Sequence, residues 1–332
     1  MISVVVVNWN RRELLRACLG SLARQTGVTF ETIVVDNGST DGSVELAERE
    51  FAARVIRNRE NRGFCAANNQ GIAAARGEFI ALLNNDTEAE PGWLAALHRA
   101  CAARPDIGMA ASKVLVWEDS RRIDKAGHLI FPDGQNRGRG TGALDRGQFD
   151  REEEVLWPDG CAAMYRKEML DQIGGFDEDF FAYGDDAELG LRARIAGWRC
   201  LYTPAAVVRH HRGSTLGKDS AFRLELIERN RLLLVFKLFP WSLLALNPCY
   251  FLARVGAGLL AARRGAGDTA HFPGLRGMWS MAGAFLRGNL GALRLAPRML
   301  RKRAAVQRLR KLSPGDVRRL ILAHRLSLRD TA

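Results

Sequence analysis

Three short polar clusters hold the residues best suited to chemistry: Asn8-Trp9-Asn10, Asp36-Asn37-Gly38-Ser39-Thr40 and Asn84-Asn85-Asp86. Each follows an apolar run. An acid exposed where a strand ends is well placed to hold a cation, because carboxylate oxygens suit hard ions such as Mg2+ and Mn2+. Asp36 can accept hydrogen bonds from a ribose or a base imide. The backbone amides of "NGSTDGS", where a helix opens, suit a phosphate or a neutral polar edge. The plainer reading of "NND" is a helix N-cap ahead of "EPGWLAAL". No G-x-G-x-x-G follows the first apolar run and no G-x-x-x-x-G-K-[ST] occurs, which argues against a dinucleotide site and a P-loop.

The runs around these clusters alternate between two periodicities. Residues 3–7 (SVVVV) read as a fully buried strand, and Leu14, Leu15, Cys18, Leu19 and Leu22 then recur at helical spacing. "FETIVVD" repeats the strand, and Ser43 to Phe51 reads as a second helix. Val55 and Ile56 mark a short strand, "CAANNQGIAAAR" a helix and "GEFIALLNND" the next strand. A helix over 92–103 and a strand over 108–116 follow. Such alternation predicts a parallel sheet flanked by helices, with ligands gathering beyond the carboxyl ends of the strands, so the three clusters should share one crevice. Residues 118–156, with "GQNRGRGTG" at their centre, read as a long loop or flap. "GCAAMYRKEMLDQIGGF" restores order, "DDAELGLRARIAGW" reads as a helix, and "CLYTPAAVVRHH" reads as one or two strands.

Six cysteines are scattered without a C-x-x-C pair, which predicts a reduced compartment and no zinc ribbon. The terminus MISVVVVNWN enters a strand with no basic leader, so no signal peptide is expected. The net charge of +12 divides unevenly along the chain. Residues 231–332 hold 19 Lys/Arg and 3 Asp/Glu, a net of +16, while residues 1–230 hold 30 and 34, a net of −4.

In order along the chain, "VVVVNWN…LLRACLGSL", "IVVDNGSTDGS", "NRGFCAANNQGI", "LLNNDTEAEPGWL", "GGFDEDFFAYGDDAELGLRAR" and "VVRHHRGST" resemble the family 2 inverting glycosyltransferases, in particular their bacterial rhamnosyltransferase-like branch. The likeness covers residues 2 to about 216, and the tail from "ERNRLLLVFK" is similar to tails of that branch. It implies a GT-A fold: α/β, Rossmann-like, of the nucleotide-diphospho-sugar transferase kind, with a mostly parallel sheet flanked by helices over 1–225. It also implies an activity: transfer of a sugar, L-rhamnose from dTDP-rhamnose being the first expectation and another UDP- or GDP-sugar the alternative. The acceptor would be a cell-surface glycan or a lipid-linked saccharide.

The resemblance also implies roles for residues. Asp86 would be the direct ligand of a divalent cation, Mg2+ or Mn2+, with Asn84 standing where the family has a first acid. That replacement weakens the expected metal affinity. His210 or His211 would be a further metal or diphosphate ligand, against the plainer reading of a histidine that caps a strand. Asn8, Asn10, Asp36, Arg62, Asn84 and Asn85 would touch the nucleotide sugar, and Asp159 the donor or acceptor sugar. Asp186 would be the general base, with Asp185 holding the acceptor or orienting it and Glu188 as a third acid. Acids that merely suit a helix N-terminus are the alternative for this group. Trp157, Phe180, Phe181 and Tyr183 are candidates for a sugar platform.

The last third is apolar yet interrupted by Lys237, Pro240, Asn247, Pro248 and Arg254. Its longest uncharged run, Leu238 to Ala253, is 16 residues and holds two prolines, short of the roughly 20 that a straight span needs. Residues 226–332 are therefore expected to form basic, apolar helices lying on the inner face of the cytoplasmic membrane. Arg301, Lys302, Arg303, Arg308, Arg310 and Lys311 would face anionic headgroups. A helical bundle packed on protein is the plainer alternative. The same charge would attract any polyanion, but the basic residues alternate with Leu, Val and Met rather than with aromatics, so no nucleic-acid partner is expected.

Overall fold

The protein's computed structural model describes residues 1–211, 220–263 and 274–331. Gly213, Ser214 and Thr215 of "VVRHHRGST" lie outside the described residues. The chain forms two compact units, Met1–His128 with Gly138–Arg212, and Leu129–Arg137 with Gly213–Ala332.

In the first unit the order is β1 (Ile2–Asn8), α1 (Arg12–Ala23), β2 (Phe30–Asp36), α2 (Ser43–Phe51), β3 (Arg54–Arg57), α3 (Gly63–Ala74), β4 (Phe79–Leu83), β5 (Thr87–Ala89), α4 (Trp93–Ala102), β6 (Ile107–Val116) and β7 (Ile123–Lys125). A hairpin of β8 (His128–Ile130) and β9 (Asn136–Gly138) follows. Then come β10 (Glu153–Val155), β11 (Ala162–Arg166), α5 (Lys167–Ile173), α6 (Asp185–Ile195) and β12 (Arg199–His210). The sheet runs β10-β12-β6-β11-β4-β1-β2-β3, with β5 joined to β12 and β7 to β6. β1 and β4, wholly apolar apart from Ser3 and Asn8, are buried on both faces as the central strands of a layered fold must be.

The sheet is mixed rather than parallel throughout. β3, β2, β1 and β4 run parallel, but β11 lies antiparallel between β4 and β6. One consequence is that the carboxyl ends of β1, β2, β4 and β12 and the amino end of β11 share one edge of the sheet. "NND" does not cap a helix. Asp86 leads into β5, and α4 starts later behind Gly92, whose φ of 88° supplies the left-handed turn. The 118–156 stretch is not a bare loop, since β7, β8, β9 and β10 lie within it.

The second unit holds the helices α7 (Ala221–Leu238), α8 (Trp241–Arg263), α9 (Gly274–Leu309) and α10 (Pro314–Ala323). α8 runs unbroken through Pro248. Trp241–Ala261, 21 residues of mean hydropathy 1.4, is therefore one helix long and apolar enough to cross a membrane by length and composition, at about 31 Å. The sequence reading counted the prolines as interruptions. Pro240 in fact precedes the helix, its carbonyl accepting from the amides of Leu243 and Leu244, and one internal proline removes a single bond from the ladder.

The hairpin tip, Leu129–Arg137, packs within this helical unit. Asp133 is fully buried; Arg254 Nε donates to its carboxylate at 2.6 Å, and Arg231 Nη1 and Asn247 Nδ2 donate to its carbonyl at 2.8 and 3.0 Å. Glu228 closes the network, 3.0 Å from Arg231 and 2.9 Å from Arg254. Two acids and two guanidiniums balance, as buried charges must. On α9, Trp279, Leu286, Leu290, Leu293 and Leu300 are exposed at intervals of seven, four, three and seven residues, so they form one apolar stripe.

Candidate active site

At the shared sheet edge, Asn8 is fully buried and ties three strands together. Its Nδ2 donates to Asp36 Oδ1 and Ser39 Oγ, both at 3.1 Å, and its Oδ1 accepts from Asn85 Nδ2 at 2.8 Å. Asp36 bends the turn after β2 around its own carboxylate, which accepts from Gly38 N at 3.2 Å, Ser39 N at 2.8 Å and Ser39 Oγ at 2.5 Å. Asn10, at φ 57°, takes the amide of Thr40 on its Oδ1, and its own amide donates to Ser39 Oγ. The two polar turns therefore brace each other. Arg62 is exposed just ahead of α3, and Asn84 donates its amide to Cys161 O at 2.8 Å.

Asp86 lies beside His210, with Nε2 3.5 Å from Oδ1. The other ring nitrogen of His210 is 2.8 Å from Asp124 Oδ2. Burial alone would lower the imidazole pKa, but Asp124 and Asp86 outweigh it and raise it to about 9. His211 turns elsewhere: its ring stacks on Trp117 with centroids 4.1 Å apart, and its amide donates to Asp86 O.

A second cluster gathers before β11. Asp159 Oδ2 accepts from Lys125 Nζ at 2.5 Å and lies 2.8 Å from His128 Nε2. The same nitrogen stands 3.5 Å from Asp186 Oδ2, which also receives the amide of Gly160 at 3.4 Å. Burial would lift Asp159, but Lys125 and then His128 hold it well below the usual carboxylate range. Asp186 goes the other way: burial and the charge of Asp159 raise it, and His128 and Lys125 restrain the rise. Asp185 is pushed well above its ordinary value by burial and by Asp186. The 181–184 turn that delivers both acids is strained, with Phe181 and Tyr183 at φ 63° and 67°. It is held because Phe64 N and Cys65 N donate to Phe181 O, and because Gly63 has no Cβ to strike the Phe181 ring, which would lie 2.4 Å away.

Some candidates stand apart. Glu188 is fully buried in a bidentate pair with Arg192, which braces the carbonyls of Ile173, Gly174 and Gly175. Trp157 and Phe180 are fully buried and belong to the core, so neither is a sugar platform, whereas Phe181 and Tyr183 are half-buried. Asp124, Lys125 and His128, all from the 118–156 stretch, escaped the sequence reading. The only signal was an acid, an amine and an imidazole interleaved with Ile123, Ala126 and Leu129 in an otherwise Gly- and Arg-rich segment.

Two donor sets fit a cation differently. Asp86 and His210 offer an oxygen and an imidazole nitrogen 3.5 Å apart, near the roughly 3 Å that separates adjacent ligands of one octahedral ion with bonds of about 2.1 Å. His128, Asp159 and Asp186 also converge, their ligand atoms within 4.8 Å of one another, but Lys125 already brings a positive charge to the same Asp159 oxygen.

The Glycosyl transferase family 2 profile matches residues 3–174. N-acetylglucosaminyl-diphospho-decaprenol L-rhamnosyltransferase of Mycobacterium tuberculosis is 29% identical over 246 residues, 68% of this chain and 80% of that protein. An uncharacterized protein of Sinorhizobium fredii is 29% identical over 240 residues, 66% of this chain; the matched part is 25% of that longer relative. Mannosyltransferase PcManGT from Pyrobaculum calidifontis, solved with GDP-Man and Mn2+, shares the fold with a TM-score of 0.56 at 19% identity, over 88% of this chain and 86% of that one.

Proposed function

The chain belongs to glycosyl transferase family 2, and from that premise we propose that it is an inverting enzyme that moves L-rhamnose from dTDP-rhamnose to a lipid-linked saccharide of a growing cell-surface glycan. What supports this reading is that Asp86 and His210, whose facing atoms lie 3.5 Å apart, stand at the same sheet edge as a carboxylate of raised pKa, Asp186. The rhamnosyl donor and lipid-linked acceptor follow the activity of the Mycobacterium tuberculosis relative.

In this reading residues 1–225 are the catalytic domain. Asn8, Asn10, Asn84, Asn85 and the turn built on Asp36 receive the nucleotide, and Arg62 meets its base or phosphates. Asp86 and His210 would hold Mg2+ or Mn2+, which when bound would neutralise charge on the departing diphosphate. The acceptor hydroxyl attacks the anomeric carbon opposite the leaving group. Its proton passes to Asp186, the glycosidic bond forms, and the bond from anomeric carbon to phosphate oxygen breaks. Asp185, its pKa pushed well above the ordinary value by burial and by Asp186, holds the acceptor or orients Asp186. Asp159, neutralised by Lys125 and His128, faces the sugars.

Nucleotide release should be measured for dTDP-rhamnose and a panel of UDP- and GDP-sugars, with Mn2+ and a polyprenyl-diphosphate saccharide. Release with dTDP-rhamnose is expected. No release from any donor would overturn the reading.

Residues 226–332 are proposed to lie on the inner face of the cytoplasmic membrane. The α9 stripe supplies apolar contact, and Arg301, Lys302, Arg308, Arg310 and Lys311 supply about 1 kcal/mol each near an anionic surface. Arg303, expected among them, is instead buried, its Nη1 donating to Phe236 O and its guanidinium stacked on Trp241. Arg254, within α8, is tied to Asp133 and Glu228, which favours a helix lying along the membrane over one crossing it. The protein is expected to float with vesicles containing phosphatidylglycerol and to be only partly released by 1 M salt. Complete release would remove the α9 stripe from the account. Preferential retention on DNA at matched salt would favour a polyanion-binding role.

A further inference from the structure

We infer that Asp124 is a positioning residue for cation binding, fixing the ring of His210 so that Nε2 faces Asp86. The inference rests on the reading of Asp86 and His210 given above.

β7 is only three residues long, and its pairing with β6 is irregular. Lys125 opposes Val114 and Ile123 opposes Leu115, so Asp124 is the extra residue of a bulge. A bulge re-aims one side chain without ending the pairing. Here β6 pairs with β7 on one side and with β12 on the other, Val116 opposite His210. The bulged carboxylate thus reaches over the end of β6 to a residue two strands away. The segment is fixed from its far side as well: Ile123 N donates to Ala143 O, Gly142 N donates to Ile123 O, and Thr141 Oγ1 donates to the carbonyl of Asp124. Asp124 is fully buried. A carboxylate in that position accepts the Nδ1 proton of His210 at 2.8 Å and leaves Nε2 as the nitrogen available to an ion. Histidines that ligate metals commonly need such a partner, and losing it weakens metal affinity by about 10–100-fold.

The test measures Mn2+ affinity from the electron paramagnetic resonance signal of free Mn2+, at saturating dTDP, for wild type, Asp124→Asn and Asp124→Ala. Affinity for dTDP without metal and the melting temperature are recorded alongside. The expected result is a loss of about tenfold for Asp124→Asn and approaching 100-fold for Asp124→Ala, with metal-free dTDP affinity unchanged. Wild-type Mn2+ affinity in either folded variant overturns the inference while leaving the site reading intact. Asp124→Asn, which is isosteric, decides alone if the alanine variant does not fold. A wild type that binds no Mn2+ beside dTDP overturns the site reading, and the inference with it.

Discussion

Asp186→Asn is expected to lower kcat by about 10²–10⁴-fold, the range over which a positioned general base contributes, with donor KM and melting temperature little changed. The substitution preserves shape. Asp186 Oδ1 accepts from Ala187 N at 2.7 Å and Oδ2 from Gly160 N at 3.4 Å, and an amide keeps one of these acceptors. What it removes is the capacity to take a proton. The nucleotide turns are built by Asn8, Asp36 and Ser39, so donor binding should survive. The pH profile supplies a second readout. Burial and Asp159 raise the pKa of Asp186, so the base is lost as pH falls through a value above the ordinary aspartate range. Lys125 and His128 restrain that rise, so Lys125→Met should move the acid limb of kcat/KM to higher pH. For stability the sign is fixed by the same shift. A carboxyl whose folded pKa lies above its unfolded one adds stability at low pH that is lost as pH rises through the folded value. An Asp186→Asn enzyme with kcat within a few-fold of wild type would remove the base from the mechanism.

Asp86→Asn is expected to reduce kcat/KM by about 10²–10³-fold, comparable to deleting one preorganised electrostatic group. The loss should be large because Asn84 and Asn85 bring no charge, leaving Asp86 as the only carboxylate of its motif. Titrating Mn2+ at fixed donor should show a raised metal requirement before the rate itself fails. The converse variant, Asn84→Asp, restores a second acid next to the ion and should lower that requirement. Equal Mn2+ dependence in wild type and Asp86→Asn would place the ion elsewhere, with the His128, Asp159 and Asp186 group as the next site to probe.

Much of this arrangement was legible in the sequence because strong physical signals marked it. The runs SVVVV and FIALL admit little other than buried strands, and polar clusters at their carboxyl ends fall at the same edge of the sheet. The family motifs single out Asp86, Asp159, Asp186 and His210 as candidates; in the structure Asp159 and Asp186 both lie against His128 Nε2, and His210 lies beside Asp86. What stayed hidden lacked periodicity. β5, β7, β8, β9 and β10 are three residues each, too short to show alternation. Asp124 is aimed by a bulge, a feature of pairing between strands that no single stretch encodes. Trp157, a platform candidate by its residue type, is instead fully buried and packs on Gly190, whose added Cβ would come within 2.2 Å of it.

The hairpin tip has a practical meaning for anyone trimming this protein to obtain a soluble enzyme. Asp133 takes its cationic neighbours from α7 and α8, so a version stopping before residue 221 would strip away Arg231, Asn247 and Arg254 together. Removing those helices also takes away the packing that buries the tip, so Leu129–Arg137 would lose both the partners of Asp133 and the surface it folds against. Inactivity of such a shortened form would therefore report a damaged hairpin as readily as a missing lipid surface. A full-length Asp133→Asn variant, which disturbs the tip while keeping every helix, is the design that separates the two.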